Sequence, residues 1–179
     1  ADPSAAPLAL AIAVVALAIV ATIGLWLVSV RGTALLPLGV AGVVLIVAYT
    51  SWITRSPYAC LVAPGLGFGP LMVVGTHIAV AGRYDTAAGI AALIPFFLVS
   101  ALLLLNQFPD VEADREAGRR HLPIVWGRPR AAHVFVALYS LAYRSLVAGV
   151  LGGALPWPCL LGLVTLTLAV PAARDVLRH

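Results

Sequence analysis

The sequence predicts an all-α protein that crosses a lipid bilayer several times, and two observations support this: its composition and the length of its apolar runs. Of its 179 residues, 62% are hydrophobic and 10% are charged, whereas about a quarter of an average soluble chain is charged. A soluble domain of this size cannot bury so much apolar surface, and disordered chains are poor in apolar residues. We therefore predict a polytopic transmembrane helical bundle that forms a single domain over residues 1–179.

Six apolar runs follow one another along the chain, each near the roughly 20 residues that a helix needs to cross the hydrocarbon. The predicted spans are Pro7–Val30, Ala34–Ile53, Cys60–Ala81, Ala87–Leu105, Ala131–Leu155 and Cys159–Ala173. The first run is too long for a signal peptide and has no basic residues before it, which favours a true span. In the third run, Gly65 and Gly69 have the small-xxx-small spacing that is typical of close helix packing. The fifth contains Arg144, a charge that either faces a cavity or extends to the membrane interface.

The arginines indicate how the spans are oriented. With alternating sides, the side of the amino terminus receives Arg55, Arg115, Arg119, Arg120, Arg128, Arg130, Arg174 and Arg178, and the other side receives Arg31 and Arg83. The positive-inside rule then predicts that both termini and a polar loop at about residues 106–130 are cytoplasmic. We predict an integral protein of the bacterial inner membrane whose partner is the lipid bilayer, and no nucleic acid partner for so apolar a chain.

The polar loop between the fourth and fifth spans carries the candidate chemistry. Asn106, Asp110 and Asp114 are spaced four residues apart, so on a continuous helix their side chains form one stripe. Two carboxylates and an amide oxygen suit Mg²⁺, which commonly bridges carboxylates to substrate phosphates. Pro109 is expected to kink or start a helix just before Asp110. The alternative interpretation is a solvated cap between two membrane helices, in which the acids only pair with arginines.

Basic residues follow the acids directly. Arg119 and Arg120 come within about two turns of the stripe, where guanidinium groups can bind the oxygens of the same phosphate group. Gly118 precedes them and allows the chain to turn there.

These residues resemble a known family. The stretch NQFPDVEADREAGRRHLPIVWG, from Asn106 to Gly127, resembles the second aspartate-rich motif of the UbiA superfamily of intramembrane prenyltransferases, in particular the branch that prenylates 1,4-dihydroxy-2-naphthoate. The matching positions are Asn106, Asp110, Asp114, Gly118, Arg119, Arg120 and Gly127, with Tyr49-Thr50 and Gly65-Leu66-Gly67 upstream. Two positions depart from the pattern: Phe68 stands where an acidic residue is common, and His121 where Ser or Thr is usual.

The resemblance implies an activity and assigns residues to it. Members of the family use Mg²⁺ to bind the diphosphate of a polyprenyl substrate and transfer the prenyl chain to an aromatic acceptor such as 1,4-dihydroxy-2-naphthoate, in menaquinone synthesis. The implied catalytic residues are Asp110 and Asp114, which with Asn106 hold the metal. The implied substrate-binding residues are Asn106, Arg119, Arg120, Arg55 and Tyr58, the last two near the acceptor. For Arg55 and Tyr58 the alternative is an interfacial arginine and an aromatic anchor.

We also expect the sequence to be the carboxyl-proximal part of a longer enzyme. Family members have about nine spans and two aspartate-rich motifs, whereas here four spans precede a single motif and two follow it, which fits family helices three to eight. The chain begins Ala1-Asp2-Pro3-Ser4, and its one methionine, Met72, lies inside a span. With the first motif missing, little turnover is expected from these residues alone. The alternatives to an enzyme are a non-catalytic membrane scaffold and a transporter, which would place several ionisable groups within its spans.

Overall fold

The computed structural model describes residues 5–178, without the side chains at positions 5, 6, 50 and 51, and this part of the chain is helical with no β-strand. The helices are α1 (Ala5–Arg31), α2 (Leu36–Ser51), α3 (Pro57–Leu66), α4 (Gly75–Ala81), α5 (Thr86–Asn106), α6 (Val111–Glu116), α7 (Leu122–Trp126), α8 (Arg128–Leu151) and α9 (Leu166–Arg178). A π-helical segment, Gly67–Val74, joins α3 to α4, and a 3₁₀ segment, Trp157–Thr165, leads into α9. The predicted all-α class is confirmed.

Five of the predicted spans form helices long and apolar enough to cross a membrane. They are Pro7–Arg31, Pro57–Ala81, Thr86–Asn106, Arg128–Leu151 and Trp157–Arg178. The second predicted span, Ala34–Ile53, corresponds to an apolar helix that includes Thr33–Tyr49 and continues as α2 to Ser51. It ends two residues before the predicted end because the backbone leaves the α-helical region at Trp52 (φ −124°).

The centre of the bundle is α5, which packs against α8 on one side and against α3 and the π-helical segment on another. The buried apolar core lies toward the end of α5 that leads into the polar loop, and it consists of Ala101, Leu104, Leu122, Ala131 and Phe135. Most large apolar side chains on α1 and α2 are exposed, as expected for helices whose solvent is lipid. Arg144 is exposed on α8 and has no hydrogen bond or ion pair with the described residues.

The close packing predicted for Gly65 and Gly69 is confirmed. A Cβ atom at Gly65 would overlap the carbonyl oxygen of Phe96 and the Oγ atom of Ser100. One at Gly69 would lie 2.5 Å from the carbonyl oxygen of Ala92. Because α3 and α5 run in opposite directions, this contact keeps the start of α3 beside the end of α5, where the polar loop begins.

Candidate functional site

A pocket of about 440 Å³ lies at the end of the bundle where α5 meets the polar loop. Its walls come from the end of α2, the α2–α3 connection, the start of α3, the end of α5 and residues 107–121. Five of the predicted site residues line it: Arg55, Asn106, Asp110, Asp114 and Arg119. Residues that are 64 positions apart in the sequence are therefore brought together at one site.

The acidic stripe does not lie on one continuous helix. The helix is interrupted around Pro109, where a kink or a helix start was predicted. Helix α5 ends at Asn106, and α6 begins only after Asp110. The amides of Gln107 and Phe108 each donate, at 3.1 Å, to the carbonyl three residues earlier, so the last turn is tightened. The cause is Pro109, which has no N–H to donate and disfavours the helical conformation of the residue before it. Asn106 at the end of α5, Asp110 in the turn and Asp114 in α6 nevertheless line the same pocket.

Asp114 is the most strongly bonded acid of the site. Its Oδ1 atom accepts a hydrogen bond from Nη1 of Arg119 at 2.8 Å, and its Oδ2 atom lies 2.9 Å from Nε2 of His121. The backbone amide of Arg119 also donates to the carbonyl of Asp114, at 2.9 Å. Gly118, with a φ of +75°, turns the chain after α6 so that it comes back to Asp114. The predicted turn at this glycine is confirmed.

His121 is buried behind Asp114, with a relative exposure of 2%. Burial lowers the pKa of its imidazole below the ordinary value of 6.5, and the hydrogen bond that the ring makes to Asp114 opposes that shift only in part. The neutral ring donates from Nε2, because the carboxylate it faces can only accept. Its other nitrogen, Nδ1, is buried and has no hydrogen-bond partner within residues 5–178. The sequence marked His121 only as a departure from the family pattern.

Asp110 and Asn106 are open to the pocket instead. Both residues are exposed, and the side chain of Asp110 makes no capping hydrogen bond although it immediately precedes α6. Throughout the described part of the chain, no residue donates a hydrogen bond to this carboxylate. The two acids therefore differ: Asp114 is held on both oxygens, and Asp110 is free to bind a ligand.

The polar loop is fixed to the α2–α3 connection by its backbone. The amide of Arg120 donates to the carbonyl of Thr54 at 3.2 Å, which brings the neighbouring Arg55 to the pocket. Arg120 itself does not contribute to the described pocket walls, and neither does Tyr58. Tyr58 is 60% exposed and packs edge-on against Trp126, with 6.0 Å between the ring centroids.

Several residues that line the pocket were not among the predicted site residues. They are Tyr49, Thr54, Cys60, Leu103, Gln107, Ala117, Gly118 and His121. Gln107 donates from Nε2 to the Sγ atom of the buried Cys60 at 3.3 Å, which links α3 to the loop inside the pocket. Tyr49 lies in the Tyr49-Thr50 segment of the family resemblance, which was the available signal for it.

The donor set fits a hydrated Mg²⁺ ion better than an ion held by protein ligands alone. No group of three or more His, Cys, Asp or Glu residues within residues 5–178 is arranged to hold a metal. Two carboxylates and an amide oxygen line one pocket, and the carboxylate of Asp110 has no protein partner there. Mg²⁺ prefers oxygen ligands, keeps several waters and commonly binds through one or two carboxylates and substrate phosphates.

The fold and site define a polytopic helical membrane protein with a pocket lined by two carboxylates and two guanidinium groups. The sequence profile of the UbiA prenyltransferase family matches residues 6–179. The chain belongs to this family, which confirms the predicted resemblance.

Three relatives show which members of the family this chain is similar to. It is 33% identical over 109 residues to the 1,4-dihydroxy-2-naphthoate octaprenyltransferase of Mycobacterium tuberculosis, covering 61% of this chain and 36% of the relative. It is 27% identical over 124 residues to the enzyme of the same name from Bacillus subtilis, covering 67% and 40%. The digeranylgeranylglyceryl phosphate synthase of Thermococcus onnurineus is 40% identical over 63 residues, covering 35% and 22%.

The first two names agree with the predicted naphthoate branch. The matches span less than half the length of these relatives. No solved structure matches the chain.

Proposed function

We propose that this chain carries a diphosphate-binding site of an intramembrane prenyltransferase. The reaction is the transfer of a polyprenyl chain from an allylic diphosphate to an aromatic acceptor such as 1,4-dihydroxy-2-naphthoate, in quinone or menaquinone synthesis. The observation that supports the proposal is the convergence of Asn106, Asp110 and Asp114 with Arg55 and Arg119 on one pocket.

The acids and the amide would hold Mg²⁺. When bound there, the metal supplies positive charge that stabilises the diphosphate as the carbon–oxygen bond breaks. Asp110 offers an unpartnered carboxylate, and Asp114 offers one whose position is already fixed by two hydrogen bonds. Asn106 adds an amide oxygen from the last turn of α5.

Arg119 would bind the diphosphate directly. Its side chain is 53% exposed, so it can reorient toward a substrate at the pocket. A guanidinium group presents several N–H donors in one plane, which suits phosphate oxygens. After this reorientation, the guanidinium donors lie beside the charge that develops on the leaving group.

Arg55 is the best placed residue for the acceptor. It lines the same pocket, and the naphthoate named for two relatives carries a carboxylate that a guanidinium group can bind. The proposal gives Arg120 and Tyr58 no direct contact with substrate, since neither lines the pocket. The apolar helices would hold the prenyl tail away from water, which protects the allylic cation until the aromatic ring captures it.

The arginine asymmetry supports a place for this pocket on the cytoplasmic side of a bacterial inner membrane. The charge-rich loop and both termini fall on the side that carries eight of the eleven arginines. Donor and acceptor head groups would then reach the pocket from the cytoplasm.

The decisive experiment compares two acids of the same short helix region. Asp110→Asn removes a charge that lines the pocket, and Glu112→Gln removes a charge that instead pairs with Arg115 at 2.9 Å on the exposed face. The purified chain in lipid nanodiscs is titrated with geranyl diphosphate, with and without Mg²⁺, by calorimetry. We expect Mg²⁺-dependent binding that is at least about tenfold weaker in Asp110→Asn, since charged hydrogen-bonding groups contribute about that much.

The control variant should bind as the unmodified chain does. Equal binding by both variants, or no dependence on Mg²⁺, would contradict the proposal. A non-catalytic scaffold would show no binding that depends on Asp110.

A further inference from the structure

We propose that His121 is a positioning residue. It keeps the carboxylate of Asp114 in place when Arg119 leaves that carboxylate and binds the substrate diphosphate instead. This inference rests on the proposed function, because it assigns roles within the same pocket. The sequence pattern of the family offers Ser or Thr at this position, so the role belongs to the histidine of this chain.

The two partners of Asp114 differ in their freedom to move. Arg119 is 53% exposed on its side chain, whereas His121 is 2% exposed. Ion pairs at exposed positions contribute little to stability, because water competes for both charges and the long side chain loses rotamer freedom. The contact from Arg119 is therefore the one that can be released.

The imidazole of His121 is fixed by its surroundings. His121 immediately precedes α7, and the next two residues, Leu122 and Pro123, are buried. The amides of Ile124 and Val125 donate to the carbonyl of His121 at 3.1 and 3.2 Å. These bonds fix the backbone of His121, and burial of its side chain restricts the ring, whose Nε2 atom lies 2.9 Å from Oδ2 of Asp114.

This arrangement leaves Asp114 able to bind a cation. A carboxylate oxygen has two lone pairs, so the donation from Nε2 of His121 occupies one and leaves the other. When Arg119 moves to a diphosphate, Oδ1 becomes free as well. The orientation of the carboxylate is then maintained by His121, which lowers the entropy lost when a metal binds.

The test replaces the histidine with a side chain that keeps the donor and with one that does not. His121→Gln retains an N–H donor near the position of Nε2, and His121→Leu fills the space without any donor. Binding of Mn²⁺ to the purified chain in nanodiscs is followed by electron paramagnetic resonance, with inorganic diphosphate as the phosphate probe. We expect about tenfold weaker Mn²⁺ binding in His121→Leu, the usual loss when a group that orients a metal ligand is removed, and near-complete recovery in His121→Gln.

Arg119→Gln provides a second variant at an exposed position, which is expected to fold. Without diphosphate its affinity for Mn²⁺ should be no lower than that of the unmodified chain, since a competing cation has been removed. When diphosphate is added, the gain in Mn²⁺ affinity should be smaller in Arg119→Gln than in the unmodified chain. If Arg119→Gln weakened Mn²⁺ binding strongly without diphosphate, the exchange would be refuted.

The outcomes separate this inference from the proposed function. Unchanged binding in His121→Leu, or equal losses in His121→Leu and His121→Gln, would overturn the positioning role and leave the diphosphate site intact, provided that Asp110→Asn still weakens Mg²⁺-dependent binding of geranyl diphosphate. Absence of Mn²⁺ binding in the unmodified chain would overturn both. Circular dichroism of each variant without metal shows whether a loss of affinity reflects unfolding.

Discussion

Replacing Gly65 with alanine tests the helix contact that shapes the pocket. Gly65 lies on α3 where this helix crosses α5, and a Cβ atom there would overlap the carbonyl oxygen of Phe96. A backbone carbonyl cannot rotate away as the end of a side chain can. The two helices must therefore separate, and the contact between Cys60 and Gln107 at the pocket is expected to lengthen.

The magnitude follows from two opposing effects. Alanine in place of glycine stabilises a helix by up to about 1 kcal/mol, whereas an extra group in a well-packed contact costs about 1–3 kcal/mol. Gly67→Ala is a matched control two residues away on the opposite face, where the nearest atom to a new Cβ, Cδ2 of Leu45, is at 3.5 Å, an ordinary contact. Gly67→Ala should therefore gain helix stability without any steric overlap. Gly65→Ala should therefore be less stable than Gly67→Ala by about 1–3 kcal/mol.

The assay is unfolding in detergent micelles, followed by circular dichroism as temperature or the denaturing detergent increases. Gly69→Ala serves as a second test, because its Cβ would lie 2.5 Å from the carbonyl oxygen of Ala92. It should behave like the Gly65 variant. If the Gly65 and Gly67 variants unfolded with the same free energy, the close approach of these helices would not be a stabilising feature of the fold.

Three further predictions concern the polar loop and α8. Gly118→Ala should destabilise the loop by about 1–2 kcal/mol, because φ is +75° there and alanine is strained in this region; limited proteolysis of residues 107–121 measures the effect. Asp114→Asn should lower the melting temperature of the metal-free chain, because it weakens two hydrogen bonds, whereas Asp110→Asn, with no protein partner to lose, should leave it unchanged. Tyr143→Phe removes a 2.8 Å hydrogen bond to the hydroxyl of Thr165 and should cost about 0.5–1.5 kcal/mol in the same assay; an effect near zero would indicate that lipid or water already satisfies the tyrosine.

The sequence predicted the fold well because a membrane helix is specified by the mean hydropathy of a run of about 20 residues. Apolar runs such as Ala87–Leu105 need no specific partner to be recognised, and the helix there, Thr86–Asn106, matches the prediction to within one residue at each end. The second predicted span ends slightly early. Its apolar run continues to Ile53, but α2 ends at Ser51, where the backbone at Trp52 leaves the α-helical region.

Spacing predicted the site residues that are close in sequence, whereas Arg55 was a candidate only because it falls on the same side of the membrane as the polar loop. Asp110, Asp114 and Arg119 come from one segment, so spacing and chemistry were enough to group them. Cys60 and Thr54 reach the pocket because α3 packs against α5 and because a backbone hydrogen bond ties the loop to the α2–α3 connection. No local pattern specifies those contacts.

The turn at Pro109 and the glycine at 118 together explain how a single loop supplies both acids and their partners. On a continuous helix, Asp114 would lie one turn beyond Asp110, and Arg119 would project more than another turn further along the same axis. Instead, α6 has only six residues and is followed by the left-handed Gly118. The chain therefore returns, and residues five and seven positions after Asp114 reach its two oxygens. The difference between the unpartnered carboxylate of Asp110 and the hydrogen-bonded carboxylate of Asp114 is thus a direct consequence of two breaks in the helix.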